Sequence, residues 1–387
     1  MKTHMITILV SALALLTTQA AFAQQAAKVP SNFDLTPWVV PTENMPGPNY
    51  PRVWGDFPNP CSYANLRYDD PIQYPGKFNA SPLNVFFGNT LANANSTYDS
   101  LRKIGESTCW GGPVNRSSIY MPAMITADGK VVLPELLDVV YRGDERTQAF
   151  PRGLKMMMGP KYMDSSYQWD ANSPRYAWSF GGPGQWWGRS YNSWIYQNFS
   201  PNLYPDYAFQ NTAYRQLIRV VSPDCWDGVN LDSADHYSHL AYSGPDATMT
   251  ANCPTTHPVK IPQTLITVAY TWMNRTDAQG WYLSSDRFGV KFEAPGTNFY
   301  VGFIPAWDDD IEQIWVTKIL NQKWFGAFSK IGDGRILSQP PTTKIFGPTQ
   351  NLGPGRDPRF LWSLSGLFWM PGGYVPIANQ RVSPPAP

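Results

Sequence analysis

The sequence predicts an all-β fold, a jelly-roll-like β-sandwich with long loops and one or two short helices, on three observations. Gly (30) and Pro (37) punctuate the 387-residue chain more densely than in an average globular protein. Charged residues make up only 15% while aromatics reach 14%, with 16 Trp. That balance excludes a coiled coil, a helical bundle and a disordered acidic chain. Short apolar runs recur between Gly, Pro, Asn and Asp clusters, the punctuation of short strands rather than of βαβ units.

The elements follow in order. Residues 1–23 combine Lys2, the apolar run Ile6–Leu16 and Ala21-Phe22-Ala23, the parts of a cleavable signal peptide. The run is too short to span a bilayer, so a secreted or periplasmic location and no transmembrane segment are expected. Residues 24–60 are rich in Pro and Asn without a period and read as an extended N-terminal arm. Residues 61–345 read as a single β-rich domain and 346–387 as a Pro/Gly-rich C-terminal segment. Strands are expected at Val131–Tyr141, Leu154–Met158, Tyr176–Phe180, Gln216–Val221, Leu265–Trp272, Val290–Glu293 and Phe299–Ile304. No repeat of 20–50 residues is visible, which argues against a propeller or solenoid.

One helix is well signalled over residues 309–323. Asp308, Asp309 and Asp310 suit its N-terminus, and Ile311, Ile314, Trp315, Ile319 and Trp324 follow helical spacing. A second short helix is expected over Tyr98–Ile104, beginning at Ser96-Thr97.

Four Cys, at 61, 109, 225 and 253, form an even set with no CxxC spacing, which favours two disulfides over a zinc site. Three pairings are open; the local one, Cys61–Cys109 with Cys225–Cys253, is chosen here.

The strongest chemical signal is local. Beyond His4 the only His are His236, His239 and His257, beside Asp227, Asp232 and Asp235 in the stretch CWDGVNLDSADHYSH, residues 225–239. A carboxylate can orient an imidazole for acid–base work, so His236, His239, Asp232 and Asp235 are the candidate catalytic residues. His-x-x-His spacing also brings imidazoles together, which makes His236, His239 and His257 candidate metal ligands. A divalent metal, copper or zinc, is the less favoured outcome. The competing view is that these polar groups simply pin a long connection, since Asp and Asn close turns readily.

A second signal is aromatic. Tyr and Trp crowd residues 167–207 among Asn, Gln, Ser and Gly. Trp186, Trp187, Trp194 and Tyr196, with Trp226 and Asp227, are the candidate ligand-binding residues. Aromatic faces beside amides and hydroxyls suit a sugar, or another small or polymeric ligand. Packing area in a loop-rich β protein is the plainer explanation for most of them. Met156-Met157-Met158 would alternate sides along a strand and is read as core. A net charge of +1 with sparse Lys and Arg excludes a phosphate-tracking groove, so no nucleic-acid partner is expected.

The CWDG stretch, continuing through Asp235-His236 and Ser238-His239, resembles the signature of the family called domain of unknown function nineteen-ninety-six, found in secreted fungal and bacterial proteins. Phe86-Phe87-Gly88-Asn89, Asn93-Ala94-Asn95-Ser96-Thr97-Tyr98, Phe150-Pro151-Arg152-Gly153-Leu154-Lys155-Met156 and Cys253 with His257-Pro258-Val259 extend the similarity, as do Gly280-Trp281 with Leu283-Ser284-Ser285-Asp286, and Gly332-Asp333-Gly334-Arg335. It covers roughly residues 75–340. The chain departs from the family pattern where His-x-His is usual, at Pro82 and Asn84, and where His-x-Asp is usual, at Tyr300 and Gly302. The resemblance therefore implies a family site that keeps only the imidazoles around residue 236.

Two functional readings follow. The first is an exported carbohydrate- or small-ligand-binding protein, a non-catalytic relative within the family. The second is an extracellular polysaccharide-active enzyme using the His/Asp cluster.

Overall fold

The structure, a computed structural model, describes residues 25–43, 53–125, 129–134, 136–159, 176–181, 214–244, 252–272, 282–288, 299–340 and 374–376. Two five-stranded antiparallel sheets carry the fold. Across the first, the strands lie in the order Tyr176–Gly181, Tyr214–Val221, Gln263–Trp272, Leu136–Gly143 and Gly55–Pro58. Across the second, the order is Tyr63–Arg67, Asn84–Gly88, Ser118–Pro122, Val301–Ile304 and Met156–Met158.

Alternation along each strand explains how these sheets share a core. Leu137, Val139 and Tyr141, Ile218 and Val220, and Ile266 and Val268 point inward from the first sheet. Val85 and Phe87, Ile119 and Met121, Met156 and Met158, and Val301 and Phe303 meet them from the second. The sandwich-like all-β architecture is therefore what the chain adopts. The intervening residues of the second sheet, Phe86, Tyr120, Met157 and Ile304, form a separate buried cluster with Tyr98 and Leu101 of a covering helix. The methionine triplet is thus split between two cores.

The two expected helices are present. Tyr98–Lys103 is capped by Thr97, whose hydroxyl accepts from the Ser100 N–H at 3.2 Å while Ser100 Oγ accepts from the Thr97 N–H at 2.9 Å. Asp309–Trp315 is capped by Asp308 and runs on through a π-helical turn, Val316–Leu320. Its apolar stripe buries Ile311, Trp315 and Ile319. Trp315 stacks on Phe57 at 4.9 Å between centroids and meets Trp307 at 5.5 Å, which ties the helix into the main core.

Gly55–Pro58, whose composition matches the arm, is the edge strand of the first sheet. Its Pro58 sits where an edge strand tolerates a missing donor. Val39–Pro41 pairs with Arg335–Leu337, so the preceding segment is tied across the molecule as well. The strand expected at Val131–Tyr141 is two, Lys130–Val132 and Leu136–Gly143. The strand expected at Val290–Glu293, the leader and most of 346–387 lie outside the described residues. Cys61–Cys109 and Cys225–Cys253 are both disulfide-bonded, the local pairing. Closing loops of 48 and 28 residues is worth roughly 3.5–4 kcal/mol each in the chain-entropy picture. Two disulfides fit an extracellular protein. Among the described residues no helix is long and apolar enough to cross a membrane.

Candidate functional site

The histidine-bearing stretch is an excursion from a small three-stranded sheet. Cys225–Trp226 pairs with Leu240–Ala241 on one side and Val259–Lys260 on the other. The base is pinned by the Cys225–Cys253 bond and by a buried ion pair, Lys260 Nζ to Asp224 Oδ2 at 3.1 Å. Asp224 also accepts from Ser243 N–H at 2.8 Å and Ser243 Oγ at 2.6 Å. A charge buried this deeply is tolerated because every partner is in place.

Most of the loop's polar groups are spent on its own shape. Asp227 Oδ1 accepts from the N–H groups of Val229 and Asn230, both at 2.8 Å, in an Asx turn. Burial raises its pKa, but these bonds outweigh burial and hold it below the ordinary carboxylate value. Asp235 Oδ1 gathers the N–H groups of Tyr237 at 3.1 Å and Ser238 at 2.9 Å, together with the Ser238 hydroxyl at 2.8 Å. Against the opposing effect of burial, this drives its pKa far down. Trp226 is buried, and its indole N–H donates to the Asn230 carbonyl at 2.6 Å. Trp226 and Asp227, the candidate ligand-binding residues of this stretch, build the turn.

His239 is buried at 1% exposure, with both ring nitrogens engaged. Nε2–H donates to the Lys155 carbonyl at 2.7 Å, and Nδ1 lies 2.8 Å from Ser233 Oγ. Burial lowers its pKa against the pull of the Lys155 carbonyl and the surrounding Asp carboxylates. Ser233 Oγ is also 2.7 Å from Asp235 Oδ1, so its single proton serves either the ring or the carboxylate. A neutral His239 accepts a hydrogen bond from the Ser233 hydroxyl at Nδ1; a cationic one donates from Nδ1 to Ser233 Oγ, whose hydroxyl then donates to Asp235. His257 is tied too, with Nε2–H donating to the Ser238 carbonyl at 2.9 Å and Nδ1 at 2.9 Å from Thr256 Oγ1.

His236 differs. Its Nδ1–H donates to Asp232 Oδ1 at 2.8 Å, and among the described residues Nε2 meets no protein partner. The side chain keeps 24% of its surface exposed. Its backbone sits in the left-handed region, φ 63°, a conformation uncommon for a residue with a Cβ and held by the Ser233 carbonyl accepting its N–H at 2.8 Å. Asp232 is backed in turn by Lys155 Nζ, 3.4 Å from Oδ2. Burial raises the Asp232 pKa, but His236 and Lys155 outweigh it and keep the carboxylate ionised. Lys155–Asp232–His236 is a line of charge ending in one open ring nitrogen. Lys155 lies in the Phe150–Met156 motif, yet its backbone contacts with Leu231 and His239 and its ion pair with Asp232 bring it to the loop, and spacing gives no hint of them.

Among the described residues no group of three or more His, Cys, Asp or Glu side chains is arranged to hold a metal. The candidate metal set of His236, His239 and His257 is therefore not assembled, because the fold uses both nitrogens of His239 and of His257. Trp186, Trp187, Trp194 and Tyr196 lie outside the described residues.

Three of the positions that depart from the family pattern, Asn84, Tyr300 and Gly302, come together elsewhere, on the outer face of the second sheet. Asn84 is buried, its Nδ2 donating to the Asp69 carbonyl at 3.0 Å, and Tyr300 Oη donates to Asn84 Oδ1 at 2.8 Å. Tyr120, across the ladder from Gly302, donates its hydroxyl to Asp70. A Cβ on Gly302 would fall 2.0 Å from the Tyr120 ring, so the phenol fills the space a side chain at 302 would need. Burial, reinforced by Asp70, pushes both Tyr120 and Tyr300 well above the usual phenol value. This cluster is sealed, and Tyr237 of the histidine loop packs against it.

No curated protein and no solved structure matches the chain. A family model does match, over residues 70–307, which takes in the sealed cluster, the Phe150–Met156 motif and the whole histidine loop. The chain belongs to the family described as a domain of unknown function, DUF1996.

Proposed function

We propose that this protein acts outside the cytoplasm, secreted or periplasmic, as a binding protein for a carbohydrate or similar polar ligand, with His236 as the group that meets the ligand. One observation carries this reading: of the three loop histidines only His236 keeps a ring nitrogen open, and the Asp232–Lys155 pair behind it fixes which nitrogen that is. A bare Nε2 accepts a hydrogen bond from a ligand hydroxyl, which an ammonium in its place would not do. The aromatic segment 167–207 supplies the residue types that stack on sugar rings.

A second reading has its own support. A carboxylate on Nδ1 with Nε2 facing outward is the arrangement of an imidazole general base, which fits a polysaccharide-active enzyme. Glycan-array binding and release of reducing ends, measured for the native protein, His236→Ala and Asp232→Asn, separate the two. Binding lost in His236→Ala without any turnover in the native protein supports the binding role. Turnover lost in both variants supports the enzyme. Binding unaffected by His236→Ala sinks the site.

A further inference from the structure

We propose that the cleft between the N-terminal arm, the 144–152 connection and the helix Asp309–Trp315 is a separate binding site for a neutral, hydroxyl-rich ligand of the saccharide class, with the Glu312 carboxyl at its floor. The ligand class rests on the carbohydrate reading above, but the site is distinct from the histidine loop. The cleft encloses about 610 Å³, within the range of small-ligand sites.

Its charged rim is neutralised pair by pair. Lys28 meets Asp310 at 2.6 Å, Arg152 meets Asp309 at 3.4 Å, Lys323 meets Glu145 at 2.8 Å, and Arg146 chelates Asp144. No uncompensated charge is left to select an ion. Two exposed amides, Gln148 and Gln313, line the cleft with no side-chain partner among the described residues. An amide offers both a donor and an acceptor, the pairing that vicinal hydroxyls satisfy.

Glu312 is the group that points to a ligand. It is 6% exposed, and Oε1 accepts from the Phe150 N–H at 2.8 Å. Oε2 has no partner among the described residues, yet it is not among the fully enclosed unsatisfied atoms, and Glu312 lines the cleft. Burial pushes its pKa up to about 8, with Asp309 and Asp308 adding to the rise while the Phe150 N–H and Arg102 oppose it. At neutral pH the carboxyl is therefore mostly protonated and donates to an incoming oxygen. A protonated acid on the floor with amides at the rim suits a neutral ligand and disfavours an anion. The family match ends at residue 307, so the helix and the arm that frame this cleft lie outside it.

The test is calorimetric titration at pH 6 of the native protein with neutral tetrasaccharides of cellulose, xylan, mannan and chitin. At least one is expected to bind. Gln148→Ala and Gln313→Ala are each expected to weaken it about tenfold, the loss of one to two hydrogen bonds. Glu312→Gln, which keeps a donor and the Phe150 contact, should stay within about threefold of native, and His236→Ala should leave cleft binding unchanged. Absence of binding by all four sugars overturns the proposal. So does binding indifferent to both glutamine variants. Binding lost only in His236→Ala overturns the cleft while upholding the loop.

Discussion

The histidine loop and the Tyr120–Tyr300 cluster are two regions where the family resemblance leads one to expect imidazoles, and the fold treats them in opposite ways. In the cluster the expected side chains are replaced by a phenol, an amide and a glycine that satisfy one another and exclude water. In the loop the imidazoles are kept, but His239 and His257 serve as struts and only His236 faces outward. Polar residues crowded in a sequence are thus no guide to an open site. What distinguishes a reactive group is the hydrogen-bonding capacity left over once the fold has been satisfied.

That contrast can be broken most forcefully by removing what pins the loop. The double variant Cys225→Ser/Cys253→Ser is expected to lose roughly 3.5 kcal/mol in denaturant unfolding, with the sealed cluster unaffected. Gly302→Ala attacks the other region. Its added Cβ has no room beside the Tyr120 ring, and a loss of about 3 kcal/mol is expected. A Gly302→Ala protein as stable as native would show that the cluster is not tightly closed. His239→Ala strands the Lys155 carbonyl and leaves a void, for an expected loss of about 2–3 kcal/mol. His236→Ala should cost no more than about 1 kcal/mol, because its ring is only partly buried and its one side-chain bond, to Asp232, lies in reach of solvent. A similar cost for His236→Ala and His239→Ala would erase the distinction between strut and site.

Acid sharpens the same distinction. The folded His239 pKa lies below its ordinary 6.5, so below that pH the unfolded chain binds the extra proton and stability falls as pH drops. His239→Gln should flatten that fall. Glu312 acts in the opposite sense: it is held near 8 against an ordinary 4.5, so stability declines as pH rises through that window, and Glu312→Gln should remove the decline. Unfolding midpoints from pH 4.5 to 8.5 for the three proteins read both effects.

The sheets were legible wherever strands are apolar and uninterrupted, as at Leu265–Trp272. They were not where Gly and Pro mask a strand, as in Gly55–Pro58, whose place comes from pairing with Leu136–Gly143. The helix at Asp309 was written in its capping carboxylates and apolar spacing. Its one discordant residue, Glu312, falls on the buried stripe beside Ile311 and Trp315, the local signal that marks a buried carboxyl. The loop stood out through its clustered His and Asp, but their division into struts and an open ring depends on Ser233, Lys155 and Ser238 carbonyl contacts that no spacing encodes.

The most direct measurement of the central claim is long-range proton–nitrogen NMR of the imidazole rings at pH 7, with and without a bound glycan. The account predicts a neutral His239 carrying its proton on Nε2, a His236 protonated on Nδ1, and ligand-induced shifts confined to His236. Shifts at His239 or His257 with His236 unmoved would contradict it.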